Sequence, residues 1–441
     1  MFYQLFFLFM VNFLFGITPL FVLGVPDLSS FATSFFRFAG AGVVELAVAA
    51  VATGRLVRKS RGAFGRSVLD VWKAYFSSRN ALFVGKRQWL YLTFLGFLLG
   101  AVSIPCYFAA FVQAGVVVTT ITVNAGALLV VAAVNWLKGE ERVDVLKVVD
   151  LLLLVAAIVT VGMATAVGAG TTHAGSPSSG LLLAITSIVV YSSFLLALNR
   201  EPKGKLGELE QEGAESWTEA SNFVRATLKL TGIHLFGALT TIPTAVVVGA
   251  FAPNSALGVN ARRFLWVELA RAGPILSVPA TWALILLGTA VPYFLLVSSS
   301  VTWPRHALKH EVWASAFALV DPLVGLYVGF LAWGEVIRLD YMAFTTLFLA
   351  AGIAIRYFQG AANAQRVVFV VKLLPGHLEH FLSFLLSLKE LDEVAVLAGN
   401  FDVVAHFTVV SLTRLVDLSN AINYYSGVRS AHYCTARPEL P

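Results

Sequence analysis

The stretch WLYLTFLGFLLGAVSIPCYFAAFVQAGVVVTTITVNAGALLVVAAVNWLKGEER, residues 89–142, decides how this chain is read. From Trp89 to Leu137 it carries no charged side chain, and Lys138, Glu140, Glu141 and Arg142 follow at once. A helix needs about 20 mostly apolar residues to cross the hydrocarbon of a bilayer. This run is long enough for two such helices, parted near Gly115. Similar windows fall at 3–24, 31–52, 147–168, 180–198, 230–252, 279–301, 312–332 and 340–358, besides 89–111 and 116–137. Composition agrees: 58% of residues are hydrophobic and 13% charged, with mean hydropathy +0.79. A soluble domain carries roughly 25% charged residues. The predicted architecture is therefore an all-α polytopic membrane bundle of about ten transmembrane helices. The first window has neither a basic leader nor a small-residue cleavage site, so it reads as a retained helix.

The formal net charge is +6, and its distribution points to the membrane rather than to nucleic acid. The loop at 55–88 holds Arg55, Arg58, Lys59, Arg61, Arg66, Lys73, Arg79, Lys86 and Arg87, with Asp70 its only acid. Lys and Arg crowd the cytoplasmic flanks of spans. With that loop inside, the connections at 138–147, 199–229 and 302–311 also fall inside, and they too are rich in Lys and Arg. The outer segments hold only Arg37, Arg262, Arg263, Arg271 and Arg338. Both termini are expected in the cytoplasm, in a multi-pass cell-membrane protein. Trp89, Trp136, Trp303 and Trp333 sit near span ends, as interfacial aromatics do. Within 66–83 apolar residues recur at helical spacing between basic ones, the pattern of a helix lying on an anionic surface. Two cysteines, Cys106 and Cys434, suggest neither a disulfide framework nor a zinc site.

The two halves echo each other. GAVSIPCYF at 100–108 matches GTAVPYF at 288–294, and WLKGEERV at 136–143 matches FLAWGEVI at 330–337. A unit of five spans enters the membrane inverted in its second copy, an architecture that places a transport site near the midplane between copies. The expected repeats are 1–170 and 171–360. The membrane region resembles the EamA branch of the drug/metabolite transporter superfamily, through FFRFAG at 35–40, PCYFAAFVQAG at 105–115, GEER at 139–142, PYFLLVSSS at 292–300 and ALVDPLVGLYVGFLAWGEVI at 318–337. That resemblance implies a ten-helix, two-repeat carrier of small metabolites, often directed outward. One departure stands out: the proline usual in the fourth span is missing from TVNAGALLVV at 122–131, whereas Pro322 holds the second-half position.

From residue 366 the pattern changes. RVVFVVKLL, EVAVLAG, FDVVAHFTVV and VRSAHYCTA read as strands, and HLEHFLSFLLSLKEL and SLTRLVDLSNAINYYSG as helices, the second ending at a Gly427 C-cap. The order βαββαβ is that of a small α/β ferredoxin-like domain at 366–441. LDEVAVLAGNFDVVAHFTV at 391–409 and GVRSAHYCTA at 427–436 resemble the ligand-binding (RAM) domain of Lrp/AsnC regulators. The resemblance implies small-ligand binding, typically of amino acids, at an interface between paired modules, and hence a homodimer through this domain. Its turn is Gly399-Asn400-Phe401-Asp402: Gly399 for unusual backbone angles, Asp402 to orient a neighbouring loop or accept a ligand amine. The helix-turn-helix that usually precedes this domain is missing, so no nucleic-acid partner is expected.

Ionisable groups inside spans are expensive and tend to face cavities. Glu45 and Asp321 read either as substrate or proton sites or as polar pairs locking helices. Arg37 reads as an anion contact or an interfacial anchor. Asn124 lies where the EamA pattern departs, and Tyr107 and Tyr293 occupy matching places in the two Pro-Tyr-Phe motifs. These six form the candidate substrate and coupling set. Asp150 reads as interfacial, Glu140 and Glu335 as equivalent span-end residues suited to gating, and His234 as a lesser candidate. Pro19, Pro105, Pro243, Pro292 and Pro322 mark kinks. The chain carries no HExxH, GxSxG or Gly-rich phosphate loop, so no enzyme, cofactor or metal is expected. The leading expectation is a secondary transporter of a small polar metabolite such as an amino acid, with a cytosolic ligand-sensing domain. The alternative is a membrane-anchored sensor without flux.

Overall fold

The computed structural model describes residues 2–25, 28–59, 67–77, 79–80, 86–137, 145–167, 177–199, 215–301, 310–363, 365–388, 391–397, 399–409 and 412–436. It contains ten helices long and apolar enough to cross a bilayer, the arrangement of a multi-pass membrane protein: Tyr3–Leu23, Ser30–Arg58, Gln88–Ala114, Val116–Leu137, Val145–Ala164, Ser178–Leu198, Asn222–Phe251, Pro279–Ser300, Trp313–Leu331 and Leu339–Phe358. They are the first to tenth spans below. A short helix at Val68–Ser77 lies within the basic loop, burying Val71 and Tyr75, and its Trp72 Nε1 donates to Thr53 Oγ1 at 3.1 Å. Beyond it, Arg79–Asn80 pairs with Lys86–Arg87 as a short antiparallel ladder rather than continuing the helical pattern. The glutamate-rich stretch 201–219 reads as a loop, but helix begins within it at Glu215; residues 201–214 and Glu140 lie outside the described residues.

The prolines shape the spans. A proline lacks the N–H that would bond residue i−4, and its ring crowds that carbonyl. The third span passes through a π-helical turn, Phe97–Ser103, just before Pro105, and the eighth through Leu286–Ala290 just before Pro292. In both, the N–H that closes the turn reaches five residues back, Ile104 to Leu99 O and Val291 to Leu286 O. The ninth span is interrupted at Ala318–Leu319, where Pro322 withholds the bond that Ala318 would receive; helix resumes over Val320–Leu331. The first span is likewise broken, at Ile17, ahead of Pro19.

Packing follows a regular plan. The second span lies along the seventh, the fifth along the tenth and the fourth along the ninth. The sixth packs on the third and fourth, and the first packs on the eighth and ninth. Small residues allow the close approaches: a Cβ on Gly325 would stand 2.5 Å from Thr120, and one on Gly329 2.3 Å from Val117. Without a hydrophobic drive between helices in lipid, such contacts carry much of the association.

The last segment is a separate α/β unit: β1 Gln365–Leu373, α1 Leu378–Ser387, β2 Leu391–Val396, β3 Val403–Val409, α2 Leu412–Asn423 and β4 Val428–Ala436. The four strands are antiparallel in the order β2-β3-β1-β4. Alternate residues Val367, Phe369, Val371 and Leu373 of β1 join Phe381, Leu385, Leu415, Leu418 and Ile422 of the helices in one buried core. Gly427 is not the helix cap that its sequence suggests. Helix α2 stops at Asn423, and Gly427 sits in the turn into β4 with φ 95°, where a Cβ would fall 2.4 Å from His377. Its carbonyl accepts from Leu374 N at 2.7 Å.

The third and seventh spans meet backbone to backbone: a Cβ on Gly96 would come within 2.5 Å of Gly237 N and 2.6 Å of Ile233 O, whereas one on Gly54 would meet nothing within 4 Å. Gly96→Leu should therefore destabilise the detergent-solubilised protein by about 1–3 kcal/mol or more, and Gly54→Leu hardly at all. Equal thermal melting of the two variants would contradict this contact.

Candidate functional site

Six spans place polar side chains in the middle of the bundle. Arg37 of the second span is buried, at 5% exposure. Its Nη2 donates to Gly288 O at 2.6 Å, and its Nε donates to Thr289 Oγ1. Gly288 O is the carbonyl that residue 292 would bond in an α-helix, and residue 292 is proline. The guanidinium thus fills a gap that Pro292 opens. Phe38 and Phe108 flank it at 5.9 and 5.8 Å. Among the described residues no carboxylate bonds to it. In the third span Gly100 O, five residues ahead of Pro105 within the π turn, accepts from Ser34 Oγ at 2.6 Å and Thr241 Oγ1 at 3.3 Å.

Asp321 stands in the first turn after the break in the ninth span. Gly16 of the first span lies against it, with no room for a Cβ beside the Asp321 carbonyl. Asn124 of the fourth span faces its carboxyl. Yet Asp321 Oδ1 and Asn124 Nδ2 are both buried without a hydrogen bond. Tyr107 of the third span donates to Thr120 Oγ1 at 3.4 Å and stacks at an angle on Phe111. Arg37 lies within electrostatic reach of Tyr293, Tyr107, Asp321 and Tyr191. Asp321, Asn124, Tyr107, Tyr191 and Tyr293 are each partly rather than fully buried. Five of the six residues singled out from sequence, Arg37, Tyr107, Asn124, Tyr293 and Asp321, meet here.

Glu45 does not join them. It is fully buried against His234 of the seventh span, whose Nδ1 lies 2.9 and 2.8 Å from its two carboxylate oxygens. Asp150, expected at the interface, is instead 0% exposed. Its oxygens accept from Arg356 Nε and Nη2 of the tenth span at 2.9 and 3.1 Å, while Arg356 Nη1 donates to Ser315 O of the ninth. Glu335 reaches back over the start of the fourth span and accepts from Val116 N and, at 3.0 Å, from Val117 N. Beside it Trp333 Nε1 donates to Pro19 O at 3.2 Å. Glu268 accepts from Ser29 N at 2.8 Å and ion-pairs with Arg263 at 3.0 Å. Tyr191, Arg356 and Glu268 escape a reading by sequence. Depth offered one clue: Asp150 and Arg356 lie similarly close to the ends of their spans.

In the C-terminal unit, Asp402 is a structural clasp. Its Oδ2 accepts from Leu373 N at 2.7 Å, its N–H donates to Val371 O and its carbonyl accepts from Leu397 N. Gly399 adopts φ 154°, Asn400 is exposed, and Phe401 meets the His432 ring edge-on at 6.3 Å.

No protein-family model and no curated protein matches the chain.

The Asp150–Arg356 pair separates bonding from packing. Removing one partner of a buried ion pair strands the other charge and costs about 3–5 kcal/mol, whereas replacing both by apolar residues is often neutral. Arg356→Leu should lower unfolding stability by that amount, and Asp150→Leu/Arg356→Leu should recover most of it. A double variant as unstable as the single one would show that the pair does more than neutralise its own charges.

Proposed function

We propose that the chain is a secondary transporter of a small zwitterionic metabolite of the amino-acid class, with a ligand-sensing module on its C-terminal side. The observation that carries this reading is the polar cluster inside the bundle. It holds a guanidinium with no carboxylate bonded to it among the described residues, and a carboxyl and an amide that each have a buried unpartnered polar atom. Buried polar groups are ordinarily hydrogen-bonded, so the vacant bonding capacity of Asp321 and Asn124 suits a ligand. A substrate carboxylate would sit on Arg37, and a substrate ammonium on Asp321 and Asn124. Tyr107, Tyr191 and Tyr293 would wall the apolar part.

Packing supports an inverted five-plus-five repeat of the EamA kind. Exchanging spans one to five with six to ten turns the third–sixth and fourth–sixth contacts into the eighth–first and ninth–first contacts. The second–seventh, fourth–ninth and fifth–tenth pairs map onto themselves. The matching π turns before Pro105 and Pro292 obey the same exchange. The charge bias of the loops supports cytoplasmic termini. Strand order 2-3-1-4 and the βαββαβ succession support a ferredoxin-like module related to the Lrp/AsnC ligand-binding domain, with pairing of two modules as its mode of assembly. A membrane-anchored sensor without flux is the alternative, and the unpartnered polar atoms of Asp321 and Asn124 favour the carrier.

In proteoliposomes loaded with unlabelled amino acids, the wild-type protein should exchange them for a radiolabelled amino-acid mixture. Asp321→Asn and Arg37→Lys should each reduce exchange about tenfold to a hundredfold, the scale of one charged hydrogen bond lost. Lys cannot bridge both Thr289 and Gly288 as the planar fork does. No exchange by the wild-type protein would favour the sensor.

Deleting 366–441 should leave exchange intact but abolish its dependence on amino acids added at the cytoplasmic face. Unaltered dependence after deletion would remove the sensing role.

A further inference from the structure

Glu45 and His234 form a pair that the polar cluster leaves unused. Both side chains are 0% exposed. Phe38 stacks on the imidazole with ring centroids 5.0 Å apart and planes at 18°, and Tyr293 meets it edge-on at 4.8 Å. With a carboxylate on its Nδ1 side, the ring carries hydrogen there and donates it to Glu45. The other nitrogen, Nε2, is buried and has no hydrogen-bond partner. The spans packed around the pair are the second, third, seventh and eighth. Their ionisable groups nearest this depth are Arg37, Cys106, Tyr107 and Tyr293, and none of them hydrogen-bonds to it.

Charge balance gives the pair its role. A carboxylate facing an imidazolium is neutral as a unit. Removing the Nε2 proton leaves a lone negative charge in a core without water, and adding a further proton leaves a positive one. Unpaired buried charge is strongly disfavoured, so gaining or losing a proton at the pair is costly while the core stays packed around it. Exchange of a proton requires Nε2 to reach water. Tyr293 links the two sites: its ring meets the imidazole edge-on, and it is within electrostatic reach of Arg37.

We infer that the Glu45–His234 pair is a proton-binding site that ties the carrier's change of face to one proton, exchanged at His234 Nε2 on the side of the imidazole that Tyr293 meets. Only the Nε2–H bond forms and breaks: the proton comes from water on one side of the membrane and returns to water on the other. The assignment rests on the carrier function proposed above and adds the driving ion to it.

Proteoliposomes with an imposed pH difference and a radiolabelled amino-acid mixture test it. The wild-type protein should accumulate label well beyond equilibrium in one orientation of the gradient. Glu45→Gln/His234→Gln, which keeps a neutral hydrogen-bonded pair, should lose at least about tenfold of that accumulation while exchange at equal pH continues. Gradient-driven accumulation by the double variant, or a wild-type protein indifferent to the gradient, would overturn the proton site and leave the carrier standing. Absence of exchange at equal pH in the wild-type protein would instead remove the carrier. Should the double variant fail to fold, a weakly buffered sample of purified wild-type protein with a pH-sensitive dye decides. Adding the amino-acid mixture should shift the pH by a proton per substrate bound, and no shift overturns the inference.

Discussion

Lipid offers no hydrogen-bond partner, so every backbone carbonyl that a proline frees must be met from within the protein. Much of the central site follows from that constraint. Pro292 leaves Gly288 O to Arg37, and the π turn ahead of Pro105, where Ile104 N bonds Leu99 O, leaves Gly100 O to Ser34 and Thr241. The guanidinium is thereby fixed at two points on the eighth span, with its charge turned toward the tyrosines and Asp321. Proline position sets where the helices loosen, and the loosened turns set where a cation can be held in a hydrocarbon layer.

The buried charges divide into two kinds. Asp150 with Arg356, and Glu268 with Arg263 and Ser29, have their bonding capacity taken up by partners on other segments. Glu335 does the same for two N–H groups at the head of the fourth span. These contacts join helices. Asp321 and Asn124 are different, because each holds a buried polar atom with nothing bonded to it. Burial alone therefore does not separate the two kinds; the presence or absence of a bonded partner does. Glu45 and His234 lie between the two kinds, closed on one side of the imidazole and vacant on the other.

Ten apolar helices and a terminal βαββαβ unit were legible because both signals are local. A run of twenty apolar residues, or a short β-branched and aromatic run such as Val367-Val368-Phe369-Val370-Val371, declares itself without reference to the rest of the chain. Arg37, Asn124, Tyr107, Tyr293 and Asp321 were legible for a related reason: a polar group inside an apolar span is conspicuous. The pairing of Asp150 was not legible because its partner lies 206 residues away, and nothing near it announces an arginine. Gly427 was misread because a glycine after a helix ordinarily caps it, while here the close approach of His377 is what excludes a side chain.

The sequence by itself determined how many times the chain can cross a bilayer, where the soluble unit starts, and which polar residues lie at membrane depth. Hydropathy and periodicity are properties of neighbouring residues, so they survive without a fold. Tertiary structure alone decided the partners: Glu45 meets a histidine 189 residues away, and Arg37 meets a carbonyl 251 residues away. Which charge is neutralised and which is left vacant depends on how helices pack across the bundle, and no local pattern along the chain records that.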